Sequence, residues 1–72
     1  NFWELIFECN FMRDGGDCTE VLNVKLPKDS EHTLKSKDTA MAIESAIDSI
    51  KAKKGYDSII NMTLKSWSDG NN

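Results

Sequence analysis

The feature that most constrains this chain is an alternation near its start. From Phe2 to Met12 it reads FWELIFECNFM. Trp3, Leu5, Phe7, Cys9 and Phe11 fall on one side, and Phe2, Glu4, Ile6, Glu8 and Asn10 on the other. A period of two in aromatic and branched residues predicts a strand with its odd face against a core. RDGGD follows, and its Asp14-Gly15 pair suits a type I′ hairpin turn. The next run, CTEVLNVKL, sets Leu22, Val24 and Leu26 on one face and Val21, Asn23 and Lys25 on the other.

A two-residue turn at Asp14-Gly15 would place Phe11 opposite Cys18, Phe7 opposite Leu22 and Leu5 opposite Val24. Opposed residues of an antiparallel pair share a face, so both apolar sets meet. A turn at Gly15-Gly16 preserves that matching too, and both registers stand at this stage.

Pro27 closes the second strand, because it has no N–H to give a central ladder. The polar KDSEHT follows, with Leu34 as an anchor to the core. Ser36 or Asp38 is expected as the N-cap of a helix. Its apolar face is drawn through Ala40, Ile43, Ala46, Ile47 and Ile50. Lys51, Lys53 and Lys54 complement the helix dipole, and Gly55 is expected to cap the C-terminus. In the last run, YDSIINMTLKSW, simple alternation turns Tyr56, Ser58, Ile60, Met62 and Leu64 inward. It turns Asp57, Ile59, Asn61, Thr63, Lys65 and Trp67 outward.

The expected fold is α+β, with order ββαβ. A right-handed crossover through the helix makes strands two and three parallel. Strand three then pairs antiparallel with strand one, giving sheet order 2-1-3. Residues 1–67 form one domain and 68–72 a flexible tail. The start at Asn1 rather than Met points to further residues upstream.

At 72 residues a domain buries only about 60–65% of its unfolded surface, which leaves little material for a deep cleft. The net charge of −3 and the single arginine, Arg13, argue against a general polyanion binder, which needs a basic stripe. No apolar run approaches the roughly 20 residues that span a bilayer, so no membrane partner is expected. A cytoplasmic location is expected instead.

Few residues offer chemistry. Cys9 and Cys18 both face the core. In the Asp14-Gly15 register they are diagonal rather than direct neighbours and read as buried free thiols. The alternative is a hairpin-stapling disulfide, which needs a bulge or a shifted turn. His32 lies in a polar loop, away from both cysteines, and the three lack any standard metal-ligand spacing. Glu4 and Glu8 share a face but stand roughly 13 Å apart along a strand, too far for the usual acid–base pairs. The Gly15-Gly16 pair opens no helix and is a turn, not a phosphate cradle. No enzymatic activity, cofactor or metal is expected.

One helix can cover one face of the sheet. The other is expected to display Phe2, Ile6, Val21, Ile59 and Trp67 among Glu4, Glu8, Lys25, Asn61, Thr63 and Lys65. Apolar residues rimmed by charge are the usual anatomy of a protein-binding surface. Scattered apolar surface residues are equally ordinary on a monomer. RNA-binding sheets also use aromatics, but with basic flanks, and the first strand here carries acids.

The early Phe2-Trp3, the helix with Ala40, Ala42 and Ala46, and Gly55-Tyr56 entering the last strand form a recognisable layout. It resembles very small phage-encoded host-takeover proteins, in particular the podoviral inhibitors of bacterial RNA polymerase. That family's last strand carries arginines for polymerase contact, whereas Lys65 is the only basic residue from Ile59 to Trp67. The resemblance therefore implies a class and no target. It implies a non-enzymatic binding protein that occludes a bacterial host protein, for host takeover or anti-defence, in the bacterial cytoplasm. The alternatives are a homodimer formed through the open face or an edge strand, and, third, an RNA-binding sheet.

Overall fold

The structure is a computed structural model that describes residues 2–28 and 33–69. His32 and its neighbours 29–31 lie outside the described residues, as do 70–72 of the expected tail. Four elements follow in order: β1 (Phe2–Arg13), β2 (Gly16–Pro27), α1 (Ser36–Lys51) and β3 (Tyr56–Asp69). Both β2 and β3 pair antiparallel with β1, so the sheet order is β2-β1-β3. This is the expected α+β, ββαβ fold.

The hairpin turns at Asp14-Gly15, with φ of 52° and 79°. Two consecutive positive values make the type I′ turn, whose twist matches that of the flanking strands. The register is unbroken from Arg13 opposite Gly16 to Phe2 opposite Pro27. Of the two registers open from sequence, this is the Asp14-Gly15 one. It sets Phe7 against Leu22 and Phe11 against Cys18, leaving Cys9 opposite Glu20. The two cysteines are accordingly diagonal, and both are free thiols.

Trp3, Leu5, Phe7, Cys9 and Phe11 are all buried, which makes the odd face of β1 the floor of the core. Ala42 and Ala46 of α1 pack with Trp3, Leu5, Phe7, Val24 and Leu26, while Ile50 packs with Cys9 and Phe11. Two alanines one turn apart present no bulk, so the helix can lie close to the aromatic floor. Leu34 packs against the same cluster, as expected. Each large side chain buried this way contributes about 1.5–3 kcal/mol.

The helix differs from expectation in three details. Lys35, with extended backbone, is the N-cap, rather than Ser36 or Asp38. Asp38 acts from inside the first turn, where its carboxylate accepts a bond from the Lys35 N–H at 3.0 Å. Ala42 is buried and Ala40 exposed, because the buried stripe runs through Ala42, Ala46 and Ile50. Finally, the helix ends on Ala52 rather than on Gly55. Gly55 serves the next turn, at φ 84°, and a Cβ there would collide with the Asp14 carboxylate. The hairpin turn docks on that segment: the Asp14 N–H donates to the Gly55 carbonyl at 2.9 Å, and Arg13 Nε to that of Lys54 at 2.8 Å.

β3 breaks the simple alternation. Its pairing with β1 shifts at three places, each leaving one β3 residue extra: Asp57, Ile60 and Lys65. Each such bulge moves the following side chains by one position in parity. The residues opposite the core floor are therefore Ile59, Met62, Leu64, Trp67 and Asp69, with Tyr56 on the same side opposite Arg13. Ile59 and Trp67, expected on the open face, stand on the helix side instead. Ile60, expected inside, is 56% exposed, and Ser58 lies opposite Met12 on the open face. The strand also continues through Ser68 and Asp69, two residues beyond the expected domain end.

The sheet is longer than its helix. Twelve residues of strand span about 40 Å. Sixteen residues of helix span about 24 Å. Part of the remaining floor, at the Trp3 end, is covered by side chains. Trp67 meets Trp3 edge-on, with ring centroids 5.5 Å apart. The Lys28 ammonium stands 4.7 Å from the Trp3 ring centroid and pairs with Asp69. This strap ties the end of β2 to the end of β3 across the central strand.

Candidate interaction surface

Among the described residues no helix covers the even face of β1. Phe2, Glu4, Ile6, Glu8, Asn10 and Met12 are all half-buried there, held between two exposed edge strands. The register brings Lys25, Asn23, Val21 and Thr19 beside them from β2. From β3 it brings Ser68, Ser66, Thr63, Asn61 and Ser58. Of the residues expected to form this surface, Phe2, Glu4, Ile6, Glu8, Val21, Lys25 and Thr63 lie on it. Lys65 sits in a bulge, and its ammonium stands 4.0 Å from the Glu8 carboxylate, so it belongs to the same face. Ile59 and Trp67 do not.

With those two removed, the surface changes character. Its apolar part is a row along the central strand, Phe2, Ile6 and Met12, with Val21 beside it at 64% exposure. Glu4, Glu8 and Asn10 interrupt that row, and its other neighbours on the flanking strands are mostly polar. Asn23 Nδ2 donates to Glu4 Oε2 at 2.7 Å, and Thr19 Oγ1 to Asn10 Oδ1 at 2.9 Å. Asn61 Nδ2 donates to Thr63 Oγ1 at 3.2 Å. The Lys25 ammonium lies 5.0 Å from the Phe2 ring centroid. Two acids thus occupy the central strand, with one lysine reaching toward it from each flank. Exposed contacts of this kind are worth a few tenths of a kcal/mol each, and they orient side chains more than they stabilise the fold.

Asn10, Met12, Asn23 and Thr19 follow from the hairpin alternation as members of this face. The serines of β3 do not, because their parity depends on the bulges.

Elsewhere the groups with chemistry are dispersed or internal. Glu4 and Glu8 each have a partner of their own, Asn23 and Lys65. Burial, and secondarily the nearby Glu20 carboxylate, pushes the Cys9 thiol above its ordinary range, which keeps it protonated and unreactive. Glu20 in turn pairs with Lys53 at 2.8 Å beyond the helix end. Among the described residues no group of three His, Cys, Asp or Glu side chains could share a metal ion, and no pocket opens. Among the same residues no helix is long and apolar enough to cross a membrane. No protein-family model, curated protein or solved structure matches the chain.

Proposed function

We propose that this domain is a non-enzymatic protein-binding module that acts by covering a surface of its partner with the open face of its sheet. The observation that carries the reading is the even face of the central strand, where Phe2, Ile6 and Met12 are interspersed with Glu4, Glu8 and Asn10, uncovered by any described element and flanked by hydrogen-bonding side chains. Non-obligate protein interfaces are about as polar as the rest of a protein's surface and combine apolar contacts with about ten hydrogen bonds, roughly one per 100–200 Å². The molecule measures 44 × 17 × 17 Å, so its sheet face approaches the roughly 800 Å² that each partner of a standard complex buries. The resemblance of the layout to small phage-encoded inhibitors suggests a bacterial host protein as the partner, and steric occlusion as the mechanism.

The test compares three immobilised forms in capture from bacterial lysate, with circular dichroism confirming that each is folded. The wild-type chain and a Met41→Asp control, altered on the exposed side of the helix, should retain the same partner. Ile6→Lys should lose it. Retention of that partner by Ile6→Lys would refute the role of this face.

A further inference from the structure

Among the described residues the sheet has two free edges, and they are built differently. β2 runs from Gly16 to Pro27 without a single shift of register, whereas β3 is interrupted three times. A regular, uncovered edge is a template for another strand.

The hydrogen-bonding direction along β2 follows from its turn. In a two-residue hairpin the residues flanking the turn exchange both of their hydrogen bonds, so Arg13 and Gly16 form such a pair. Alternation makes every even-numbered β2 residue bond to β1. The N–H and C=O groups of Asp17, Thr19, Val21, Asn23 and Lys25 therefore point to the free edge, and all five side chains are exposed. Pro27 has the same outward direction and no N–H to offer.

We propose that this edge pairs antiparallel with the β2 edge of a second copy, making one continuous six-stranded sheet. Two boundaries choose the register. Residues Asp14-Gly15 form the turn, and Pro27 cannot donate, so the usable edge is 16–26. Its midpoint is Val21, the most exposed large apolar residue among those described, at 64%. A two-fold axis through Val21 stacks Val21 on its own copy and Thr19 on Asn23. It also sets Asp17 against Lys25, twice, once on each side of the axis. The register that uses the whole edge is thus also the one in which the opposite charges meet. Both helices then lie on the same side of the sheet, about 14 Å apart by strand spacing. That exceeds the 8–10 Å of packed helices, so they do not collide. Lys28 leads the chain inward over Trp3, away from this edge. The pairing leaves the open face free and doubles its extent.

The test is sedimentation equilibrium from micromolar to millimolar concentration, on the wild type and two charge variants. The wild type should rise from 8.1 kDa toward twice that mass. Asp17→Lys replaces both attractions by repulsions and should weaken association by about tenfold or more. The double variant Asp17→Lys/Lys25→Asp should restore it. Within one chain these residues are eight positions apart on a strand, too distant to compensate each other, so rescue can arise only between copies. A wild type that stays at 8.1 kDa throughout would overturn the proposal. So would a dimer indifferent to Asp17→Lys, or a double variant that fails to recover. A dimer broken by Ile6→Lys but not by Asp17→Lys would assign the contact to the open face instead, and would equally overturn it.

Discussion

β2 and β3 flank the same central strand and carry comparable apolar side chains, yet only one of them keeps a regular edge. Along β2 every residue has one partner, so alternation alone decides which side chains face the helix. Along β3 three extra residues, Asp57, Ile60 and Lys65, bend the strand and disrupt its outward hydrogen-bonding row. Bulges and an inserted lysine are recognised devices for making an edge unattractive to further strands. The difference teaches that the two edges are not equivalent sites for association, although the sheet order alone makes them look so.

The largest test of this comparison strikes the strand that both edges share. Phe7 is fully buried and lies between Leu22 of β2 and Leu64 of β3. Phe7→Ala should cost about 3–5 kcal/mol in chemical denaturation, enough to unfold a domain of this size. A loss below about 1 kcal/mol would mean that the two edge strands do not depend on a common core.

The next test removes the difference itself. Deleting Ile60 and Lys65 together leaves their neighbours, Ile59 and Asn61, Leu64 and Ser66, already opposite consecutive residues of β1. β3 would then be regular from Ser58 to Asp69. A chain with two regular edges no longer closes as a dimer, and it should grow into larger species in light scattering. Unchanged association would show that the bulges do not guard the edge.

The smallest effect concerns the thiols. Cys9 is fully buried, and Cys18 half-buried on β2. Alkylation should reach Cys18 first, and should slow as concentration rises, since the proposed pairing covers Cys18 with Val24 of the second copy. Cys9 should react only through opening of the fold. Its raised pKa also has a sign in stability. The contribution is fully present below the ordinary thiol value and is lost as pH climbs through the raised folded one, because the unfolded chain ionises first. Denaturation midpoints should therefore fall on the alkaline side, and a Cys9→Ser variant should lack that part of the fall. Equal alkylation of both thiols would contradict the packing described for β1.

Much of the fold was legible in the residues. The Asp14-Gly15 turn and two matched alternations were enough for the hairpin, and one of the two open registers is the observed one. The order β2-β1-β3 followed from chain handedness and from the hydrophobicity of β1. The helix face was off by a fraction of a turn because Ala40 and Ala42 are identical in hydrophobicity. Which of them is buried depends on how α1 lies on Phe7 and Trp3. The N-cap is not legible because Lys35 has no capping oxygen, and the Asp38 carboxylate instead accepts from the Lys35 N–H, the reciprocal half of a capping box. Most costly were the bulges. Nothing in YDSIINMTLKSW marks Ile60 or Lys65 as extra, since a bulge is chosen by the fit to β1 and not by local preference. Two of the eleven residues expected on the open face, Ile59 and Trp67, consequently belong on the other side.

The central claim is that the outward backbone groups of β2 are the ones that find a partner. Amide hydrogen exchange reads them directly. At low concentration the even-numbered amides of β2 should be protected by β1, while those of Thr19, Val21, Asn23 and Lys25 exchange freely. As concentration rises, these four should become protected together, and the amides of β3 should not change. Free exchange at Val21 at every concentration, or protection that builds along β3 instead, would contradict the account.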